Sequence, residues 1–191
     1  MQQIEIEYKT LLNREEFDQL TAKFSDVPVV SQTNHYFDTA DFALRKAKLS
    51  LRIRTLSNRA ELTLKIPQTV GNIEHNLNLT LEDAKRMIAT NRLEENKITQ
   101  LLQQDGFRLN DIQKVGDLTT HRREARLPIG LMALDENHYS GIVDYELELE
   151  VTDSKQGQKD FNHFLAQENI HFKYAKSKVV RFVSTLKNEL P

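Results

Sequence analysis

The stretch IEIEYK, residues 4–9, alternates apolar and charged side chains, and it decides how the first part of the chain folds. Its charged positions are Glu5, Glu7 and Lys9. Successive side chains of a β-strand point to opposite faces, so the stretch predicts a strand with one apolar and one charged face. If the apolar face meets the core, this is an ordinary surface strand. If the charged face points into an enclosed space, the strand lines a binding site.

Seven further segments are also predicted to be strands. The clearest alternation is in LSLRIRTL, AELTLKI, NLNLTL and YELELEV. A tight turn at Ser57-Asn58 joins the third and fourth strands, and Pro128-Ile129-Gly130 separates the sixth and seventh. The eight predicted strands are residues 4–11, 29–37, 49–56, 59–67, 73–80, 118–127, 131–136 and 142–151.

Helices are predicted between and after these strands. Asn13, followed three residues later by Glu16, is a capping-box pattern, and Gly106 is a typical helix stop. The predominance of antiparallel hairpins predicts one barrel or strongly curved sheet with helices around it, in a single domain over residues 1–191. The predicted helices are residues 14–24, 81–90, 93–104, 160–168 and 177–190.

The composition excludes several classes of protein. A net charge of −2 over 191 residues argues against a general nucleic-acid or anionic-membrane binder. The chain has no cysteine, which excludes disulfides and thiolate metal sites. It has no apolar run of membrane-spanning length, and its N-terminus lacks the regions of a signal peptide. We therefore expect a cytoplasmic protein.

Charged side chains on several other predicted strands also share one face. Solvent-exposed faces of antiparallel sheets often have this pattern. However, amphipathic helices need an apolar surface to pack on, and if they cover the outside of the strands, the charged faces line a tunnel. Alternation alone leaves both interpretations open. The residues concerned are Arg52 and Arg54, Glu61 and Lys65, Arg122 and Glu124, and Glu146, Glu148 and Glu150.

A tunnel lined by both signs of charge suits one kind of ligand. Paired carboxylates bind hard divalent cations such as Mg²⁺ or Mn²⁺ through oxygen. Arginine and lysine bind phosphate oxygens, and arginine does so in a forked geometry. The pattern is therefore typical of a site for a metal ion and a phosphate compound.

At this point the motifs resemble a known family. IEIEYK is similar to the ExExK signature of the CYTH superfamily, the triphosphate tunnel metalloenzymes, and the closest likeness is to its bacterial YjbK-type branch. The resemblance covers nearly the whole chain and implies an α+β fold with an eight-stranded antiparallel β-barrel. Members hydrolyse inorganic or thiamine triphosphate, cyclise ATP, or process RNA 5′-triphosphates. The other matching motifs, in order, are HYFDT, LSLRIR, LTLK, THRRE, LMALDENHY, DYELELEV and AKSKVVRF.

The resemblance also implies roles for individual residues. Thr120 stands where some members have a lysine, so one phosphate contact of those members is absent here. Lys178 matches the C-terminal lysine of the family better than Lys176. Metal ligands would be Glu5, Glu7, Glu146 and Glu148, with Glu150 as an alternative to Glu146. Phosphate-binding residues would be Lys9, Arg52, Arg54, Lys65, Arg122 and Lys178. Catalytic residues would be Glu5, Glu7, Lys9 and Lys65, supported by Glu61, Asp135 and Glu150.

Other residues carry weaker signals. The six histidines show no HExxH or similar spacing, so no zinc site is predicted. For Glu74, a place on the surface is favoured over one near the tunnel mouth, and DENHYSG is predicted to be a strand end followed by a turn. The aromatic residues available for a purine slot are Phe37, Tyr139 and Tyr145.

The favoured function is metal-dependent hydrolysis of a small-molecule triphosphate, with Mg²⁺ or Mn²⁺ as the cofactor. Inorganic triphosphate is the preferred substrate, and thiamine triphosphate and nucleoside triphosphates remain open. The alternatives are an adenylate cyclase of the same fold and a non-catalytic sensor of polyphosphate or nucleotides. A purely structural barrel is the least favoured. No oligomeric state is predicted.

Overall fold

The computed structural model describes the backbone of residues 2–186 and the side chains from residue 4 onward. The strands are β1 (Gln2–Leu12), β2 (Val29–Thr39), β3 (Ser50–Thr55), β4 (Ala60–Pro67), β5 (Asn72–Leu79), β6 (Ile112–Leu127), β7 (Gly130–Tyr139) and β8 (Ile142–Val151). The helices are α1 (Arg14–Lys23), α2 (Ala43–Lys46), α3 (Leu81–Thr90), α4 (Lys97–Gln104), α5 (Ser154–Gln167) and α6 (Lys178–Leu186). A short 3₁₀ turn (Leu109–Asp111) precedes β6.

The strands form a closed barrel in the order β1-β5-β4-β3-β2-β6-β7-β8. The eight-stranded antiparallel barrel with surrounding helices is therefore confirmed, as are all eight predicted strands. Between β3 and β4 the chain turns at Ser57-Asn58, where the amide of Leu56 donates to the carbonyl of Arg59 at 2.9 Å. β1 pairs with β8 and sets Lys9 opposite Glu148.

The chain packs as two compact units, residues 2–4 with 32–118 and residues 5–31 with 119–186. In the first unit, apolar side chains of β3 and β4 pack with those of α2, α3 and α4. In the second, Leu147 and Leu149 of β8 pack with Leu20 of α1 and Phe161 of α5. Each unit thus buries the apolar face of its strands under helices.

This packing determines which face of β1, the strand that contains IEIEYK, points into the barrel. Tyr8 packs against Phe161 of α5, so the face of β1 that carries Glu7 and Lys9 points away from that helix. The interior of an eight-stranded barrel is just wide enough for side chains, so helices α1–α5 lie on its outside. In each unit the charged face of the strands is therefore the inner one. The exposed Ile4 does not take part in the apolar packing.

Several predicted boundaries were wrong because side-chain caps override weak local patterns. α2 was not predicted; it is held by the carboxylate of Asp38, which accepts from the amides of Leu44 and Arg45. α5 begins at Ser154 rather than at residue 160. Its interior Gly157 is required by packing, since a Cβ there would lie 2.6 Å from a methyl group of Val151.

The bounds of three other elements also differ from the prediction. α4 begins at Lys97 rather than at residue 93, because Asn96 forms the capping box. β6 begins at Ile112 rather than at residue 118. β7 continues through its polar residues to Tyr139, so Asp135 lies inside the strand rather than at its end.

The remaining expectations on local structure are mostly met. The capping box of Asn13 and Glu16 opens α1, and Gly106 directly follows the cap of α4. α6 begins at Lys178 rather than at residue 177, and its predicted end at residue 190 lies outside the described residues. No helix within residues 2–186 has the length and apolar character needed to cross a membrane.

Candidate functional site

The second unit brings three carboxylates together on the inner face of β7 and β8. Asp135 lies opposite Glu146 in the strand register, and Glu148 follows two residues along the same face. One ligand oxygen from each of these residues lies within 4.8 Å of the others. The side chains of Asp135 and Glu146 are fully buried, and that of Glu148 is 12% exposed. Buried carboxylates at this density need positive partners.

Lys178, the first residue of α6, supplies one such partner. Its Nζ lies 2.9 Å from Asp135 Oδ2 and 2.6 Å from both Glu146 Oε1 and Glu148 Oε1. Burial alone would lower the pKa of Lys178, but the three carboxylates outweigh it and raise that pKa well above its usual value. The neighbouring Lys176 is exposed. The centre of the carboxylate group therefore already accommodates a positive charge.

Arg122 on β6 is the second partner. Its guanidinium donates two hydrogen bonds to Asp135, from Nε to Oδ1 at 2.7 Å and from Nη2 to Oδ2 at 2.6 Å. The same Nη2 donates to Glu148 Oε2 at 2.6 Å. Forked, charge-assisted bonds of this kind fix the plane of the guanidinium. Thr120, two residues earlier, is buried and donates to the side chain of Asn137.

The charged face of β1 joins the same group. Lys9 lies opposite Glu148, and its Nζ donates to Glu7 Oε1 at 2.6 Å. Burial lowers the pKa of Lys9, but the charges of Glu7, Glu148 and Glu146 outweigh it, so the net shift is upward. Glu5 is half-buried and shares this face of β1 by alternation.

The pKa values of the neighbouring Glu146 and Glu148 are shifted in opposite directions. Burial, reinforced by the charge of Glu148, raises the pKa of Glu146 to about 7. Burial alone would raise the pKa of Glu148 as well, but the charges of Lys178 and Arg122 outweigh it and hold that pKa well below the usual value. The cations therefore favour the charged form of Glu148, whereas burial disfavours the charged form of Glu146. Glu150 lies further along β8, opposite Glu7, and is not one of the three clustered carboxylates.

The first unit has its own charged group on the inner face of β3, β4 and β5. Glu74 lies opposite Lys65, and its Oε1 is 3.3 Å from Lys65 Nζ and 3.8 Å from Arg52 Nη2. Burial raises the pKa of Glu74, but Arg52 and Lys65 outweigh it, and the net shift is downward. The prediction that Glu74 lies on the surface was therefore wrong, since its side chain is 14% exposed.

Arg54 has a separate set of partners in the first unit. Its Nε donates to Asn34 Oδ1 at 3.1 Å, and its Nη1 lies 3.5 Å from Glu61 Oε1. Register places Asn34, Arg54 and Glu61 side by side on three consecutive strands. Asparagine and glutamate thus hold this guanidinium on the inner face.

The carboxylate group of the second unit fits a hard divalent cation. Asp135, Glu146 and Glu148 offer only oxygen ligands, which are the donors that Mg²⁺ and Mn²⁺ prefer. Their convergence on the ammonium of Lys178 shows that the three oxygens can surround one positive centre. The donor set therefore suits the metal that the sequence motifs imply.

Comparison with known proteins agrees with this geometry. The model of the CYTH domain family matches residues 3–183. The chain belongs to the CYTH family. It is 34% identical to a Bacillus subtilis (strain 168) protein named "Putative triphosphatase YjbK", over 95% of both chains.

Two solved structures show the same CYTH fold. One, described as a "putative adenylate cyclase" from Bacillus halodurans, is 32% identical, with a TM-score of 0.89 over 95% of this chain and 98% of that one. The other, HpAC1 from Hippeastrum, is 24% identical, with a TM-score of 0.80 over 97% and 96%. It is described as a "putative adenylyl cyclase" with a dominant triphosphatase activity.

Arg181 is a site residue of this CYTH chain that sequence reasoning missed. Its guanidinium donates to Glu146 Oε2, and its Nε lies 2.9 Å from Asp144 Oδ2. Asp144 also accepts from the hydroxyl of Tyr139 at 2.6 Å. Burial and this bond raise the pKa of Tyr139 to about 12. The spacing of three between Lys178 and Arg181 was the available signal, since it puts both side chains on one helix face.

The three aromatic residues proposed for a purine slot separate in the structure. Phe37 lies in the apolar core of the first unit. Tyr145 stacks on Phe17 of α1 at a centroid distance of 4.4 Å, on the helix-covered side of β8. Of the three, Tyr139 alone contacts the charged group.

We expect Asp135→Asn to destabilise the protein by about 3–5 kcal/mol, because it removes a buried charge on which Arg122 and Lys178 both depend. Urea denaturation measures this change. Asp18→Asn is the matched control, since Asp18 pairs with Arg14 on the exposed surface of α1 and its loss should leave stability nearly unchanged. Equal stability of Asp135→Asn and the wild type would contradict a stabilising role for this charge network.

Proposed function

We propose that this CYTH protein is a metal-dependent triphosphatase that hydrolyses a phosphoanhydride bond of a small triphosphate, with inorganic triphosphate preferred. The observation that carries the proposal is the buried group of Asp135, Glu146 and Glu148 around the ammonium of Lys178. A relative that is 34% identical over 95% of both chains and bears the name of a triphosphatase supports it. That residues 1–191 act as one cytoplasmic domain stays a prediction.

We assign the metal site to Glu5, Glu7, Glu146 and Glu148, with Asp135 and Glu150 in support. A divalent cation held there supplies a Lewis acid that neutralises phosphate oxygens and lowers the pKa of bound water. Arg122 supports this assignment because it holds Glu148 and Asp135 in fixed orientations. The proposed cation is Mg²⁺ or Mn²⁺.

We assign phosphate binding to the cations of the inner face. Phosphoryl transfer requires positioning and charge stabilisation more than covalent chemistry. Ion pairs with Glu7 and Glu74 support this proposal, because they hold Lys9, Lys65 and Arg52 in place before a substrate arrives. Of the four proposed catalytic residues, Lys9 and Lys65 would bind phosphate oxygens, and Glu5 and Glu7 would act by holding the metal ion. The proposed phosphate-binding set is Lys9, Arg52, Arg54, Lys65, Arg122 and Lys178, with Glu61 supporting Arg54.

Adenylate cyclisation is the second candidate, because a relative 32% identical to this chain is described as a "putative adenylate cyclase". Cyclisation requires a slot for the purine, which is usually apolar or aromatic. Phe37 lies in an apolar core and Tyr145 stacks on Phe17 of α1, so neither is available to bind a purine. This disfavours the cyclase. A non-catalytic sensor would need the cations but not the three clustered carboxylates.

Incubation with inorganic triphosphate and with ATP, each with Mg²⁺ and with Mn²⁺, tests the function directly. We expect phosphate and pyrophosphate from triphosphate, with slow turnover of ATP and none after chelation of the metal. Chromatography resolves the products. Cyclic AMP and pyrophosphate as main products from ATP would replace the hydrolase proposal with the cyclase, and no turnover of either compound would favour the sensor.

We expect Glu5→Gln and Glu7→Gln each to lower kcat by roughly 10²–10³, because each removes a charge from the proposed metal site while keeping the shape of the side chain. Steady-state rates at several metal concentrations measure the loss. Glu15→Gln, on the exposed surface of α1, is the matched control. Near-normal rates in both site variants would exclude these residues as metal ligands.

We expect Arg52→Ala and Arg54→Ala to weaken triphosphate binding by at least tenfold, because each deletes a forked donor to phosphate oxygens. Calorimetric titration with a slowly hydrolysed triphosphate analogue measures the dissociation constant. Arg108→Ala should bind normally, since Arg108 is 83% exposed and pairs with Asp111. Unchanged affinity in both site variants would remove them from the phosphate-binding set.

A further inference from the structure

Both carboxylate oxygens of Glu146 are bonded to cations of α6. Its Oε1 lies 2.6 Å from the ammonium of Lys178, and its Oε2 accepts from Nη1 of Arg181. The same ammonium lies 2.9 Å from Asp135 Oδ2 and 2.6 Å from Glu148 Oε1. Oε1 is therefore the oxygen of Glu146 that converges with the other two carboxylates, whereas Arg181 holds the oxygen that does not.

Arg181 is itself fixed by Asp144, two residues before Glu146 on β8. Its Nε lies 2.9 Å from Asp144 Oδ2, and its Nη2 donates to Oδ1 at 3.4 Å. Two nitrogens of one guanidinium thus face two oxygens of one carboxylate, which is the forked geometry that fixes the plane of an arginine. The side chain of Arg181 is 9% exposed, so little water competes for these contacts. The guanidinium therefore joins two carboxylates of β8 in one fixed arrangement.

Asp144 is held in turn by two side chains of β7. The hydroxyl of Tyr139 donates to its Oδ2 at 2.6 Å, and Nδ2 of Asn137 donates to its Oδ1 at 3.0 Å. Asn137 lies directly opposite Asp144 in the strand register and is fully buried. Each oxygen of Asp144 thus has one partner on β7 in addition to Arg181. A continuous chain of bonds therefore runs from β7 through Asp144 and Arg181 to Glu146.

We propose that Arg181 is a positioning residue, which raises the affinity of the carboxylate group for a divalent ion. By bonding to Oε2 of Glu146, it keeps Oε1 turned towards the other two carboxylates. Asp144 acts through Arg181. A carboxylate that is already oriented loses less rotational freedom when it binds an ion, so the partners of metal ligands affect affinity. The inference rests on the proposed metal-dependent function and goes beyond it, since it concerns residues that do not themselves bind the ion.

Calorimetric titration of the full-length protein with Mn²⁺, in the absence of substrate, tests the proposal. We expect Arg181→Gln to raise the dissociation constant roughly 10- to 100-fold, as the loss of an outer-shell partner typically does. Asp144→Asn should raise it as well, and the double variant should bind little more weakly than Arg181→Gln alone, because both changes interrupt one chain of bonds. Arg108→Gln is the matched control, since Arg108 is 83% exposed and pairs with Asp111.

The titration separates positioning from a merely structural role. Misfolding lowers the number of Mn²⁺ sites per chain, whereas lost positioning raises the dissociation constant of the sites that remain. Removal of a nearby positive charge by itself favours a cation, so unchanged or tighter binding by Arg181→Gln, or a fall in the number of sites alone, would overturn the proposal. Mn²⁺ binding by the wild type without turnover of triphosphate would refute the triphosphatase but not the role of Arg181. No Mn²⁺ binding by the wild type would refute both.

Discussion

The burial of charge in the second unit is the constraint on which the rest of the structure depends. Asp135 and Glu146 are fully removed from solvent, which is costly for a carboxylate unless cations and hydrogen bonds compensate. Lys178 and Arg122 provide that compensation from α6 and β6, two elements far apart in sequence. The charges therefore connect distant parts of this unit, and because they occupy the inner face of the strands, the apolar faces point outward under the helices.

The fold was predictable because strand alternation is local. IEIEYK and YELELEV show their two faces without knowledge of any neighbour, and Asn13 with Glu16 marks the start of a helix by itself. The elements that were missed depend on a partner elsewhere in the chain. α2 needs the carboxylate of Asp38, and the early start of α5 places Gly157 against Val151. Local pattern contains neither piece of information.

The candidate site was predictable to a smaller extent, for the same reason. Alternation and the family resemblance identified which side chains share a face, and the structure sets Lys9 opposite Glu148 and Lys65 opposite Glu74. The register between neighbouring strands determines which side chains contact each other, and it cannot be predicted from the sequence of one strand alone. Glu74 was therefore predicted to lie on the surface, and the ring contact between His121 and His138 was not predicted. Arg181 was missed because the sequence did not reveal which face of α6 meets Glu146.

The same side chains serve stability and the proposed chemistry, and this overlap governs how variants of the protein behave. Glu148 is bonded to both Lys178 and Arg122, so its removal leaves two buried cations each with one partner fewer. A loss of activity at this position therefore combines loss of a ligand with loss of support for its neighbours. Lys178 takes part both in the stability of the charge network and in the proposed metal site, because its ammonium lies among the oxygens that suit a divalent ion. A divalent ion that uses the same oxygens must compete with that ammonium, so the metal affinity of the site depends on how firmly α6 holds Lys178 there.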